Sequence, residues 1–240
     1  MMYLFEGALS VKAVLLANKR VIEQVIIDEK KHDKDTAFII KIAQAKGVVV
    51  KRAKREMIDE LCSGKTHGGV ICYADERRND SLDKLKEGNF LCLLEGIEDP
   101  FNFGYCLRSL YASGCDGVIV GERNWLNSAT TITKSSGGAS EHLPIYVTKD
   151  LNETLNSLKP RFAILCATRS QALSIYDDLG DQPILLAVGG ERRGLSKIVL
   201  DHCTRNVYIP YDSDFRNSLN ACSAVSVLAF EIMRQRIGKR

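Results

Sequence analysis

Short apolar runs alternate with segments of helical period along the chain from residue 90 onward. Five of these runs have the length of a strand and carry almost no charge: Phe90–Leu94, Gly117–Val120, Phe162–Cys166, Ile184–Val188 and Asn206–Ile209. Continuous apolar runs separated by helices are typical of parallel strands that are buried on both faces. The pattern predicts an α/β domain over residues 90–240 with a parallel sheet, which binds ligands beyond the carboxyl ends of its strands.

The first 75 residues show a smaller alternation of the same kind. Helix-like segments at 8–18, 36–47 and 54–64 are interspersed with strand-like runs at 23–29, 48–50 and 68–74. Gly47 and Gly64 stand where helix C-caps are expected. We therefore predict a small α/β domain over residues 1–75. Residues 76–89 are densely charged, with Leu82 and Leu85 their only apolar residues, and they predict a linker.

Composition narrows the class of protein. The longest apolar runs fall far short of the ~20 residues of a membrane helix, and the N-terminus lacks the basic region of a signal peptide. The eight cysteines form no C-x-x-C pair, and the four histidines are isolated. We expect a cytoplasmic protein with reduced thiols in its core, no membrane partner and no metal site.

Basic residues are concentrated in one stretch of the predicted first domain. Residues 41–55 contain six lysines and arginines and no acid, although the net charge of the whole chain is only +3. Such a cluster fits contact with RNA phosphates, and a solvated helix face is the alternative. The candidate RNA-binding residues are Lys51, Arg52, Lys54 and Arg55. A second basic group lies at the C-terminus and consists of Arg234, Arg236, Lys239 and Arg240. For this group, contact with phosphates and a favourable interaction with the dipole at a helix C-terminus are equally good interpretations.

The first segment with candidate chemistry follows the strand at residues 90–94. Asp99-Pro100 predicts a turn, and Asn102 is placed to cap a helix that starts near Phe103. Arg108 falls in the second turn of that helix and could point back to the loop. Taken alone, this segment contains only a helix cap and a surface arginine.

The second segment is a glycine-rich loop after the strand at 184–188. Gly189, Gly190 and Gly194 allow a tight turn and a close approach of the backbone to a ligand, before a helix predicted to begin near Leu195. The loop lacks the Lys-Ser/Thr pair of a phosphate-binding loop, and Glu191 would repel a phosphate. An acid beside exposed backbone suits a cationic or hydroxyl-bearing ligand better.

In the third segment, Pro210 ends the last predicted strand and a polar loop leads to Ser218, Leu219 and Asn220. A long helix with small residues in its first turn follows. Taken singly, Ser218 and Asn220 are ordinary N-cap residues.

Together and in this order, the three segments resemble the three motifs of the SpoU (TrmH) family of the SPOUT methyltransferase superfamily. The stretch SSGGASEHLP at 135–144 is also similar to a stretch between the first two motifs of that family, and residues 1–75 resemble its substrate-binding domain. The resemblance covers nearly the whole chain. Phe101 and Tyr211 depart from the common His and Met, and the stretch from Ile209 to Leu219 is one residue longer than is usual.

The resemblance implies a SPOUT-type α/β domain with a deep trefoil knot, S-adenosylmethionine as the cofactor, and a homodimer whose subunits share catalytic parts. Nothing in the pattern itself predicts a knot. The residues that match the family's catalytic positions are Asn102, Arg108, Glu191, Ser218 and Asn220. Those expected to bind the cofactor are Thr168, Val188, Gly189, Gly190, Gly194, Ile209, Ser218 and Leu219.

The implied activity is methyl transfer to a ribose 2′-hydroxyl in RNA. Large-subunit (23S) ribosomal RNA is the first candidate, with guanosine as the modified nucleoside. The alternatives are a transfer RNA ribose methyltransferase, a non-catalytic RNA-binding protein of the same fold, and a nucleotide-binding enzyme that uses the glycine loop. Arg108 is described in the family as activating the hydroxyl. Because a guanidinium stays protonated in proteins, a phosphate anchor is the interpretation that we favour.

Overall fold

A computed structural model of the chain describes residues 1–64, 66–122 and 128–237. The described chain divides into two compact units. The first comprises residues 1–78 and the described part of 124–142, and the second comprises residues 79–122 and 143–237. The domain boundaries drawn from the sequence remain a prediction. The grouping of residues 128–142 with the first unit was not anticipated by the sequence pattern.

The elements follow one another along the chain as alternating strands and helices. The strands are β1 (Tyr3–Glu6), β2 (Ile22–Asp28), β3 (Val49–Ala53), β4 (Val70–Ala74), β5 (Phe90–Glu95), β6 (Gly117–Gly121), β7 (Ile145–Thr148), β8 (Ala163–Ala167), β9 (Leu173–Ser174), β10 (Ile184–Gly189) and β11 (Arg205–Tyr208). The helices are α1 (Ala8–Ala17), α2 (Lys34–Ala45), α3 (Arg55–Leu61), α4 (Pro100–Ala112), α5 (Ala129–Ser135), α6 (Ala139–His142), α7 (Leu151–Leu158), α8 (Lys197–Asp201) and α9 (Ala221–Ile237).

The first unit has a four-stranded sheet in the order β1-β4-β2-β3, in which only the β2–β3 pair is parallel. Phe5, Leu15, Ile27 and Ile39 are fully buried in its main core. Burial of each such side chain stabilises the fold by roughly 1.5–3 kcal/mol. Helices α5 and α6, which are distant in sequence, complete this unit by packing against α1 and β1.

Local signals set the ends of the helices in the first unit. The Asp33 carboxylate accepts a hydrogen bond from the Thr36 amide at 2.8 Å and caps α2. Gly47 follows that helix with φ +68°, as predicted for a C-cap glycine. The prediction for Gly64 was wrong. Helix α3 ends at Leu61, and Gly64 lies beyond it without a left-handed backbone.

The second unit has a seven-stranded sheet in the order β7-β6-β5-β10-β8-β11-β9, and its paired strands are parallel. The five predicted strands and their parallel arrangement are confirmed. The short edge strands β7 and β9 were not predicted. The carboxyl ends of β5, β10, β8 and β11, which are neighbours in the sheet, therefore lie side by side and bring together the loops that follow them.

Two helix starts differ from the prediction. Helix α4 begins at Pro100 and is capped by the Asp99 carboxylate, which accepts from the Asn102 amide at 2.8 Å. Asn102 therefore lies inside the helix and does not cap it. An Asp-Pro pair favours this earlier start because proline suits the first helical position. Helix α8 begins at Lys197 behind the cap Ser196, two residues after the expected Leu195.

Three further observations bear on the compositional expectations. Within the described part of the chain, no helix is both long and apolar enough to cross a bilayer. All eight cysteines are free, and five of them are buried. The segment predicted as a linker contains a 3-10 helix at Leu82–Glu87, with Leu85 buried.

Candidate cofactor cavity and catalytic residues

A cavity of about 610 Å³ opens at the carboxyl ends of β8, β10 and β11. Its walls come from the ends of these strands, the loops after them and the start of α9. The lining residues are Ala167, Thr168, Arg169, Val188, Gly189, Gly190, Glu191, Gly194, Val207, Tyr208, Ile209, Tyr211, Ser218, Leu219, Asn220, Ala221, Ala224 and Leu228. All eight residues predicted to bind a cofactor are among them, although they are spread over more than fifty positions of the sequence.

The glycine loop owes its composition to close packing of backbone on backbone. A Cβ at Gly189 would overlap the backbone at Gly194 and Leu195, and one at Gly190 would overlap the carbonyl of Gly96. The Gly190 amide donates to the Glu95 carbonyl at 2.7 Å. Gly194 has φ +63°, a conformation that glycine adopts without steric cost. Residues 189 and 190 must therefore be glycine because neighbouring backbone leaves no room for a Cβ. This close backbone packing forms the wall of the cavity.

A smaller cavity of about 210 Å³ adjoins this wall and contains further predicted catalytic residues. Asn102 and Glu191 both line it, and Gly190, Glu191 and Ala221 line both cavities. Ser218 and Asn220 line the larger one. The structure therefore brings four of the five predicted catalytic residues to two cavities with a common wall.

Helices α4 and α9 pack together beside these cavities. The Cys222 thiol donates to the Asn102 carbonyl at 3.2 Å, and the hydroxyls of Ser109 and Ser226 lie 2.7 Å apart. A hydrogen bond from the Cys106 thiol lowers the pKa of Cys222 and raises that of Cys106. The Asn220 amide oxygen accepts from the Ser223 amide at 2.8 Å, so Asn220 also serves as the N-cap of α9.

Arg108 is the predicted catalytic residue that the structure does not place at either cavity. Its side chain is exposed and it lines neither of them. Phe101 and Tyr105, on the same helix α4, are about half exposed, at 55% and 47%. At helical spacing these three side chains lie on one outward face. Arg108 therefore lies on the exposed face of α4 and contributes to neither cavity of its own chain.

The four predicted RNA-binding residues lie on β3 and at the start of α3, in the first unit. Arg52 donates to the carbonyls of Asp28 and Lys31, at 2.9 and 2.7 Å. Arg55 pairs with Asp59 at 3.0 Å. Lys51 and Lys54 are exposed and form no ion pair with the described residues. The two arginines are thus engaged within the fold, and the two lysines have charges available to a ligand.

The predicted site omitted two residues of the larger cavity, Arg169 and Tyr211, whose side chains contact each other and the loop at 211–219. The Tyr211 hydroxyl accepts a hydrogen bond from the Leu219 amide at 3.0 Å. The Arg169 guanidinium lies 4.5 Å from the centre of the Tyr211 ring and donates to the carbonyls of Arg216 and Asn217. The available signal was the position of Arg169, directly after Thr168 at the end of a predicted strand.

Comparison with known proteins identifies the class. The family model for SpoU rRNA methylases matches residues 89–230, and the one for RNA 2′-O ribose methyltransferase substrate binding matches residues 4–79. A protein of Staphylococcus aureus strain MSSA476, named for the TrmH family of tRNA/rRNA methyltransferases, is 31% identical over 223 residues, which cover 90% of this chain and 89% of that protein. A TrmH-family protein of Bacillus subtilis is 29% identical over 206 residues, covering 82% of each.

Solved structures share the fold at lower identity. The SpoU methyltransferase AviRb from Streptomyces viridochromogenes, in complex with the cofactor AdoMet, has a TM-score of 0.80 at 21% identity, covering 99% of this chain and 91% of that one. An rRNA methyltransferase from Sinorhizobium meliloti has a TM-score of 0.79 at 17% identity, covering 97% of this chain and 87% of that one.

The family-model match and the relatives identify the chain as an RNA methyltransferase of a family that uses S-adenosylmethionine, and the cavity at the carboxyl edge of the parallel sheet is where its cofactor site is expected. More particularly, the chain belongs to the SpoU rRNA methylase family and carries the substrate-binding module at residues 4–79. The expectation of an enzyme of this family, drawn from the three motifs, is confirmed. The trefoil knot, the dimer and the individual site residues remain predictions.

The larger cavity fits S-adenosylmethionine in size and chemistry. Its volume lies within the range of small-molecule sites. Val188, Ile209 and Leu219 offer apolar surface to an adenine ring, while the glycine backbone at 189–190 is narrow enough for close approach. The exposed carboxylate of Glu191 suits a ligand that carries a sulfonium cation. Among the described residues, no cluster of His, Cys, Asp and Glu could hold a metal ion.

Proposed function

We propose that this enzyme methylates a ribose 2′-hydroxyl in RNA, with large-subunit ribosomal RNA as the first candidate and guanosine as the nucleoside. The observation that carries the proposal is the meeting of Asn102, Glu191, Ser218 and Asn220 at two cavities with a common wall. The match of residues 4–79 to a module named for RNA 2′-O ribose methyltransferases supports the ribose as the target. We place the reaction in the cytoplasm.

The chain's own residues would bind and orient the reactants. S-adenosylmethionine supplies an electrophilic methyl group when it is bound. The backbone at Gly189, Ile209 and Leu219 would hold its adenosine part. Glu191 lies at the wall between the cavities and can accept hydrogen bonds from hydroxyl groups, while Asn102 is held in place by α4. Alignment of reacting groups in this way can lower a barrier by about 7–11 kcal/mol without a strong base.

In this mechanism, each site receives its Arg108 from a second copy of the chain. Because Arg108 is exposed and lines neither cavity of its own chain, we propose that a homodimer carries Arg108 to the partner's site. The exposed aromatic residues Phe101 and Tyr105 beside it support this use of the α4 face. There, the guanidinium would bind an RNA phosphate and stabilise the developing alkoxide.

The experiment that tests this proposal separates methyl transfer from cofactor binding. Arg108→Ala should lower transfer of a labelled methyl group to RNA by at least 100-fold, while calorimetry with S-adenosylhomocysteine should show an unchanged Kd. Arg205→Ala, a change of another exposed arginine in the same unit, should be active. Full turnover by Arg108→Ala would refute the role of this residue, and a wild-type protein without any transfer would favour the non-catalytic alternative.

Transfer RNA is the second candidate substrate, because the relatives are named for both tRNA and rRNA. Ribose-methylation mapping of total RNA from cells with and without the gene decides between them. A lost signal in 23S rRNA supports the first candidate, and a lost signal in tRNA alone replaces it. The exposed Lys51 and Lys54, together with Arg52 and Arg55, are proposed to contact the RNA.

A further inference from the structure

We propose that Arg169 and Tyr211 form a clamp that holds the loop 211–219 as one wall of the cofactor cavity, and so sets the affinity for S-adenosylmethionine. The inference rests on the proposed use of this cavity for that cofactor. Both residues, and Leu219 at the far end of the loop, line the cavity. They would act as positioning residues, since their polar groups are engaged by the loop.

Tyr211 joins the two ends of the loop. Its hydroxyl accepts from the Leu219 amide, eight residues farther along the chain, at 3.0 Å. Leu219 precedes the first turn of α9, and its side chain faces the cavity with that of Ile209. The hydroxyl thus satisfies a backbone donor that no helix or strand pairs and fixes the position of Leu219 at the ligand.

Arg169 fixes the middle of the loop to the sheet. It follows Thr168 at the carboxyl end of β8, and its guanidinium stacks on the Tyr211 ring at 4.5 Å. Two of its nitrogens donate to successive carbonyls, those of Arg216 and Asn217, at 3.1 and 3.3 Å. A planar, forked donor can make this stacked and two-pronged contact, whereas a lysine cannot.

The loop depends on these contacts because its own residues bury little surface. Residues 212–218 are all exposed and belong to no helix or strand. A segment of this kind is held by few contacts and opens at low free-energy cost. An open loop would remove Leu219 and Ser218 from the cavity, so that cofactor binding would first have to order the loop. The apparent affinity is the affinity of the closed state multiplied by the fraction of molecules in which the loop is closed.

The test compares Tyr211→Phe and Arg169→Lys with the wild-type enzyme. Each removes hydrogen bonds but keeps the ring or the charge. Because one hydrogen bond contributes about 0.5–1.5 kcal/mol, each variant should raise the Kd for S-adenosylhomocysteine about 2- to 13-fold. The KM for S-adenosylmethionine should rise in parallel, with kcat at saturation within about twofold of wild type. In the double variant, the Kd should rise by less than the product of the two single-variant fold increases, because both residues hold the same loop.

Matched controls use exposed residues outside the cavity. Tyr176→Phe removes an exposed phenol and Arg205→Lys changes an exposed arginine, and neither residue lines the cavity. Both should bind S-adenosylhomocysteine as the wild type does. The melting temperatures of the ligand-free clamp variants should lie within about 2 °C of wild type, since the loop contributes little to the core.

The outcomes separate this inference from the function on which it rests. Unchanged Kd in both clamp variants, or a fall in kcat at constant KM, would overturn the clamp while leaving the methyltransferase intact. A large loss of melting temperature in the ligand-free variants would also overturn it, because the residues would then serve global stability. If the wild-type protein itself does not bind S-adenosylhomocysteine, the proposed function fails first.

Discussion

At the scale of single residues, the cavity wall depends on positions where no side chain is allowed. Gly190 lies so close to Gly96 that an added Cβ would overlap a carbonyl, and backbone cannot move aside as a flexible side chain can. Gly96 directly follows β5, which ends at Glu95. Two loops from different parts of the sequence therefore share one close contact at the site.

Gly190→Ala should destabilise the protein by about 1–3 kcal/mol, the usual cost of overpacking, and weaken S-adenosylhomocysteine binding. Urea denaturation and calorimetry measure the two effects. Gly121→Ala is the matched control, because Gly121 is exposed and nothing lies within 4 Å of its added Cβ. A Gly190→Ala protein with wild-type stability would show that the two loops can move apart.

The motif pattern singled out Gly189, Gly190 and Gly194, and the structure places all three at the larger cavity; their role in cofactor binding stays a prediction. The pattern could not reveal that Gly190 packs against Gly96, since that contact is made only when two loops meet in the fold. Arg169 and Tyr211 were missed for the same reason, because a side chain that bonds to a loop carbonyl leaves no spacing pattern.

At the scale of elements, a buried ion pair connects α6 to the segment between α1 and β2. The Arg20 guanidinium donates to both carboxylate oxygens of Glu141 at 2.9 Å, with side-chain exposures of 3% and 1%. It also donates to the Asp75 carbonyl at 2.7 Å and stacks on the Phe5 ring at 4.6 Å. Thr133 adds a hydrogen bond to Glu141 at 2.8 Å. Each nitrogen of the Arg20 guanidinium thus donates a hydrogen bond.

Glu141→Gln should destabilise the first unit by about 3–5 kcal/mol, because it leaves the Arg20 charge buried without its partner. Thermal unfolding with a probe in this unit measures the loss. Glu29→Gln, the same change at an exposed position of the same unit, should alter stability by no more than about 0.5 kcal/mol. A small effect of Glu141→Gln would mean that water reaches Arg20.

A second element-scale prediction concerns pH and the C-terminal helix α9. Hydrogen bonds from the Arg234 guanidinium lower the pKa of the Glu231 carboxyl below its ordinary value of 4.5. This carboxylate therefore stabilises the folded state fully above pH ~4.5, and the contribution is lost as the pH falls through the lower folded-state pKa. The stability difference between wild type and Glu231→Gln should be constant near pH 6 and shrink in acid. Urea titrations at several pH values measure it, and a pH-independent difference would contradict the assignment.

Strands buried on both faces could be predicted from the sequence, whereas short edge strands could not. The central strands β5, β10 and β8 were recognisable because both faces are buried, which requires unbroken apolar runs. The edge strands β7 and β9 span four and two residues and carry mixed patterns, so they could not be told from loops. The start of α4 was misplaced because Asp99 and Asn102 are both good caps, and only the backbone shows which one is used.

At the scale of the whole molecule, one segment groups with a part of the chain that is distant from it in sequence. The methylase family model includes residues 128–142, yet this segment groups with the first unit. Gly138 lies against Ala13 of α1, where a Cβ would overlap the alanine methyl. A charge and hydropathy pattern assigns a segment to its neighbours in sequence, and it cannot reveal a partner more than a hundred residues away.

Removal of residues 1–78 should leave the seven-stranded sheet folded while residues 128–142 lose their packing partners. Hydrogen exchange should then be faster in peptides that cover 128–142, with protection of β5 and β10 retained. The full-length protein provides the reference for both regions. Equal protection of 128–142 in the shortened protein would show that this segment folds with the second unit by itself.

The contribution of residues 128–142 to the first unit has a consequence for how the protein is made. When residue 78 leaves the ribosome, the carboxylate partner of Arg20 has not yet been synthesised. At about 5–20 residues per second, the roughly sixty residues up to 142 take several seconds more. During that time Arg20 lacks its counter-ion, and the helices α5 and α6 that complete the unit are not yet present. The first unit therefore cannot be completed in strict vectorial order, because strands β5 and β6 of the second unit are synthesised before it is finished.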